Sequence, residues 1–116
     1  MRAISLLSIL FVIVLSSSSV YAGFNTANDV YLLCTTSKNF EHHDQARAEC
    51  RGYITGVFDH AMDTKLEDLV CVSDRITVGQ VMKIFTAYID RRPQSMHLTA
   101  SSVIENAIYE AFKCKK

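Results

Sequence analysis

Few side chains in this sequence are equipped for chemistry. The thiols are Cys34, Cys50, Cys71 and Cys114, and the imidazoles are His42, His43, His60 and His97. No two cysteines form a C-x-x-C pair, the close spacing on which zinc sites are usually built. His42-His43-Asp44 is the one cluster of ligand types. Adjacent residues on a helix cannot both face one metal, and no further ligand stands near, so the cluster reads as a solvated loop. Asp59, His60 and Asp63 supply the carboxylates and imidazole that acid–base work requires. Asp59 and His60 are sequence neighbours, however, and neighbours do not face each other on a helix. Glu49, Glu67 and Glu105 are scattered. There is no G-x-S-x-G elbow, no H-E-x-x-H and no phosphate-cradling glycine loop. The residues therefore predict no catalytic site, no metal and no cofactor, and point to a domain that acts by binding.

The cysteines make sense in a particular compartment. Met1-Arg2 is a short positive start, Ile4 to Leu15 is an apolar run, and Val20-Tyr21-Ala22 places small residues where a signal peptidase reads them. Residues 1–22 are expected to be a cleaved signal peptide, with the cut between Ala22 and Gly23. The apolar run is too short for a spanning helix, which needs about 20 residues. Residues 23–116 then form one exported domain, predicted to be periplasmic and not inserted in a membrane. An even number of cysteines there reads as two disulfides, so the thiols are not free nucleophiles. The chain carries 12 basic and 12 acidic side chains, and loss of Arg2 leaves the acidic ones ahead. A nucleic-acid partner needs a basic face and is not expected.

Four amphipathic helices must position whatever this domain presents. The first opens at Thr26, whose hydroxyl can cap, with Asp29 at the N3 position where it favours the helix's positive end, and turns Ala27, Val30, Tyr31 and Cys34 to one face. The second is expected to start after Asp44. Ala46, Cys50, Tyr53, Ile54, Val57, Phe58 and Ala61 recur in it at three- and four-residue steps. Gly52 and Gly56 interrupt that helix, and are explained either by close packing of another helix or by a bend. Thr64 to Arg75 is a connection in which Leu66 and Leu69 form a single turn. Thr77 and Gln80 make a capping box, and Val78, Val81, Met82, Phe85, Tyr88 and Ile89 point inward. Pro93 stops this third helix near Asp90 or Arg91. Ser95 or Thr99 caps the fourth, which buries Ala100, Val103, Ile104, Ala107, Ile108, Ala111 and Phe112. The fold class is all-α, a compact bundle of four to five short helices.

Four cysteines allow three pairings. An antiparallel hairpin of helices one and two brings Cys34 to Cys50, while Cys71 precedes helix three and Cys114 ends helix four. The preferred pairing is therefore Cys34–Cys50 and Cys71–Cys114.

One broader pattern carries more information. Cys50-Arg51-Gly52-Tyr53-Ile54-Thr55-Gly56-Val57 is followed by Cys71, by Thr77 and Gln80, by Leu98-Thr99-Ala100, and by a terminal Ala111-Phe112-Lys113-Cys114. This resembles the small periplasmic immunity proteins of type VI secretion amidase effectors, the Tai/Rap type, from about Val30 to Cys114. Ser73 and Lys113 stand where similar sequences would carry proline. The resemblance implies a disulfide-bonded helical bundle, often a homodimer, that plugs a peptidoglycan amidase delivered into the periplasm and so protects the producing cell. An acid- or envelope-stress chaperone resembling the HdeA type in size and helicity is the alternative.

A plug for a concave, polar cleft must protrude, hold its shape and carry hydrogen-bonding side chains. The turn after the third helix meets this description: Asp90, Arg91, Arg92, Gln94, Ser95 and His97 surround Pro93, the one proline in the chain. These residues are the candidate partner-binding set, and the Lys38 to Asp44 loop is the second candidate.

Overall fold

A computed structural model describes residues 25–115. The expected signal peptide and its cleavage point lie outside the described residues. Four α-helices follow one another: α1 (Ala27–Thr35), α2 (His43–Thr64), α3 (Val78–Arg91) and α4 (Ala100–Phe112), with a 3₁₀ turn at Pro93–Ser95 between the last two. Among the described residues extended pairing is limited to two isolated bridges, Thr26 with Thr99 and Val70 with Lys113. The fold is all-α.

Local chemistry accounts for the helix starts. The capping box expected at Thr77 forms, and Thr26 forms a second one with Asp29. The Thr26 hydroxyl accepts from the Asp29 N–H, and the Asp29 carboxylate accepts from the Thr26 N–H at 2.9 Å. The Thr77 N–H donates to Gln80 Oε1 at 2.8 Å, and the Gln80 N–H donates to Thr77 Oγ1. The other two starts lack a side-chain cap. α2 begins at His43, before Asp44, with His42 as a cap that contributes no side-chain bond. Thr99 caps α4 by position alone, because its hydroxyl makes no capping bond. The Ala100 N–H is satisfied by the Asn25 carbonyl at 2.9 Å instead, so a tertiary contact replaces the local one.

Each helix touches the other three. Phe85 and Ile89 of α3, Ile54 of α2, Val103, Ile104 and Ile108 of α4 and Val30 of α1 are the largest fully buried side chains. The inward faces read from the sequence meet there, with one exception. Ala111 is exposed, because the last turn of α4 runs past the core, where Tyr109 and Glu110 are also exposed. Gly52 and Gly56 are exposed, and an added Cβ at either would meet nothing within 4 Å. No other helix of the described chain approaches them, which removes the close-packing explanation within this fold.

The disulfides are Cys34–Cys50 and Cys71–Cys114, and none of the described cysteines is free. The first joins the last turn of α1 to the N-terminal half of α2. Nearby, the Arg47 guanidinium donates to the Cys34 carbonyl at the end of α1, where helical carbonyls lack partners. The second fastens the α2–α3 connection to the C-terminal end of α4. The Cys71 N–H donates to the Phe112 carbonyl at 2.8 Å and the Cys114 N–H to the Leu69 carbonyl at 3.3 Å. The single turn at Leu66 forms as read, with Leu69 and Val70 N–H groups both donating to the Leu66 carbonyl. Sequence separations of 16 and 43 residues correspond to about 3 and about 4 kcal/mol in the chain-entropy model of disulfide stabilisation.

Candidate partner-binding loop

The link from α3 to α4 is short and tied at many points. Arg92 ends α3 with its N–H donating to the Ile89 carbonyl, and Pro93 starts the 3₁₀ turn. Proline suits that position because its ring fixes the backbone and it has no N–H to satisfy. The Ser95 N–H donates to the Arg92 carbonyl, Met96 N–H to Pro93 and Leu98 N–H to Ser95. The far half of the link is bound to α1. The Ala27 N–H donates to the Leu98 carbonyl at 2.8 Å, and the Asn28 N–H to the Met96 carbonyl at 2.9 Å. These are first-turn N–H groups of a helix, which have no partner within it. The loop satisfies them, and α1 in turn fixes the loop.

Its side chains are also held. The Tyr31 hydroxyl of α1 donates to Asp90 Oδ1 at 2.6 Å. A phenol that donates to a carboxylate resists ionisation, so the Tyr31 pKa lies above its ordinary range. Arg91 and Arg92 converge on one carboxylate, Glu110 of α4, at 3.1 and 2.6 Å. The Arg92 guanidinium lies 4.4 Å from the centre of the Tyr88 ring, a cation–π contact. Two guanidinium groups share the Glu110 carboxylate, and with Asp90 beside them the cations and carboxylates of the cluster balance. Each exposed ion pair contributes about 1 kcal/mol or less to stability. Their main effect is on where the arginines point.

Of the expected set, Asp90, Arg91, Gln94 and His97 are exposed and Arg92 is half-buried. Ser95 is 8% exposed and belongs to the base of the loop; its backbone closes the 3₁₀ turn, which draws the side chain inward. It offers no projecting group to a partner. Leu98, 46% exposed, adds an apolar element that the sequence reading did not place at the surface here. Glu110 and Tyr88 were likewise not read as part of this cluster. Glu110 lies 18 and 19 residues beyond its arginines, and no local pattern indicates that meeting.

The second candidate, Lys38 to Asp44, forms a compact turn. The Phe40 N–H donates to the Ser37 carbonyl, the His43 N–H to Phe40, and His43 Nδ1 lies 3.0 Å from the Thr36 carbonyl. Phe40 is 55% exposed at its tip. Asp59, His60 and Asp63 are all exposed on α2. Among the described residues no group of three or more His, Cys, Asp or Glu could hold a metal ion, and no helix is long and apolar enough to cross a membrane.

Neither a curated protein nor a solved structure matches this sequence. A family model for Rap1a immunity proteins does match, over residues 26–114. That span begins at the cap of α1, ends at the last cysteine, and takes in every helix of the described residues, both disulfides and the α3–α4 loop. The chain belongs to the Rap1a immunity protein family.

Proposed function

We propose that this chain is an exported, periplasmic immunity protein that binds a type VI secretion effector, a peptidoglycan amidase, and occludes its active-site cleft. The observation that carries the reading is membership of the immunity family over nearly the whole described chain. The protein acts by binding, without catalysis of its own. The inserted element is the loop from Asp90 to His97, with Arg91, Arg92 and Gln94 as its hydrogen-bonding tip. A loop fixed by α1 and by Glu110 loses little conformational freedom on binding, and such pre-organisation favours affinity. Arginine is a frequent hot-spot residue, whose truncation costs about 2 kcal/mol or more. The active form is a homodimer, as the family resemblance implies.

The test is an alanine double variant, Arg91→Ala with Arg92→Ala, measured by calorimetry against the amidase encoded alongside. Affinity is expected to fall roughly thirtyfold or more, with the thermal transition little changed. Because the double variant also frees Glu110, Glu110→Gln serves as control and should weaken binding less. Unchanged affinity in a folded double variant removes the loop from the interface. Light scattering that shows only monomer at micromolar concentration removes the homodimer.

A further inference from the structure

A second surface lies against the N-terminal half of α3. There the α2–α3 connection, α3 and the end of α4 enclose a groove of about 460 Å³, open to solvent. Ile76, Ile84 and Phe112 supply its apolar lining and Arg75 and Lys83 its charge. All three apolar side chains are half-buried, and both cations are exposed. Among the described residues no carboxylate lines the groove. Neither cation takes part in the ion pairs found among the described residues, which join Lys65 to Glu105 and Arg91 and Arg92 to Glu110. Lys113 and Lys115 flank the Phe112 end and are exposed, whereas Asp74 is the one acidic residue beside Arg75 in sequence. The whole chain has no net charge, so this local excess of cations arises from where the fold places them.

The walls are fixed. The Phe112 carbonyl accepts from the Cys71 N–H, next to the Cys71–Cys114 disulfide. Thr77, adjacent to Ile76, is the cap of α3. A rigid apolar floor with an unpaired cationic rim complements a ligand with one large apolar group and negative charge around it. Small-molecule sites enclose most of their ligand's surface, and this groove does not, which favours a segment of polypeptide.

We propose that the groove docks a short acidic segment of a partner protein, with one large apolar side chain on Ile76, Ile84 and Phe112 and flanking carboxylates on Arg75 and Lys83. Gln80, Ile84 and Arg91 follow at steps of four and seven residues and so share one side of α3. The groove therefore lies on the same side of α3 as the arginine cluster, and a single partner can reach both.

The experiment needs no effector, so its failure is separate from failure of the immunity reading. The full-length chain is produced with export, recovered oxidised, and labelled at isoleucine methyl groups. The probe is the peptide acetyl-Asp-Glu-Phe-Leu-Glu-Asp-amide. One control replaces its acidic residues with lysine, and another replaces Phe-Leu with Gly-Ser. Saturable shifts of the Ile76 and Ile84 methyls with the acidic peptide are expected, with both controls about tenfold weaker and the response reduced by salt. Arg75→Glu combined with Lys83→Glu should reverse the preference towards the lysine peptide, a gain that an unfolded protein cannot show. Equal response to acidic and basic peptides, or no saturation at millimolar probe, overturns the proposal. So does a groove response to dodecanoate without one to the peptide, or shifts that follow protein concentration alone.

Discussion

Tyr31 shows how one residue can hold a loop from a distance. Its hydroxyl donates to Asp90, 59 residues away in sequence, and this bond raises its pKa above the ordinary 10.0. A group whose folded pKa is raised contributes stability that is complete below its unfolded value and is lost as pH rises through the folded one. Wild type should therefore lose more stability between about pH 9 and pH 12 than Tyr31→Phe does. Urea midpoints of the two proteins across that range provide the check. The same variant should weaken effector binding at neutral pH, because Asp90 and the following arginines lose a fixed neighbour. Arg91, Arg92 and the proline between them and Gln94 were legible as a charged turn from sequence alone. Their convergence on Glu110 was not, since nothing local announces an ion pair made across two helices. Ser95 differs from its neighbours: its polarity suggests a projecting group, but it lies at the buried base of the loop.

At the scale of the helices, caps and periodicity were the readable signals. Thr26 with Asp29 and Thr77 with Gln80 form both arms of their boxes, because a capping box is decided within four residues. The start of α4 was less readable. There the Asn25 carbonyl satisfies the Ala100 N–H, and no residue near Thr99 signals that. The Asp29 box carries a pH prediction. Hydrogen bonds from the Thr26 hydroxyl and N–H hold the Asp29 carboxyl below its ordinary 3.8. A depressed carboxyl contributes stability above its unfolded value and loses it as pH falls through the folded one. Asp29→Asn should flatten the acid limb of the stability profile below about pH 4, read from urea midpoints across that range. The glycines of α2 carry another prediction. Gly52 and Gly56 lie inside a 22-residue helix with open space where a side chain would sit. Gly52→Ala and Gly56→Ala should each raise stability by up to about 1 kcal/mol, read as an increase in the denaturation midpoint. A loss of stability with either would mean that a partner surface packs on α2.

On the scale of the whole molecule, two staples and one shared loop organise the bundle. Cys34–Cys50 closes the α1–α2 hairpin and Cys71–Cys114 closes the rest of the chain onto its own end. The α3–α4 loop completes the first turn of α1, so the element proposed to enter a cleft also helps to fold the domain. The pairing was readable because antiparallel packing of α1 and α2 brings Cys34 to the N-terminal half of α2, leaving Cys71 and Cys114 to each other. Surface properties were harder to foresee, because the groove at Ile84 and Phe112 joins residues from three separate segments. The central claim is inhibition, and it is measured most directly by titrating the oxidised protein against the amidase encoded alongside while following peptide release from purified peptidoglycan. The account predicts that amidase activity falls in proportion to added protein and is abolished near equimolar ratio, with Arg91→Ala/Arg92→Ala requiring a large excess. Full amidase activity in the presence of excess folded wild-type protein would contradict it.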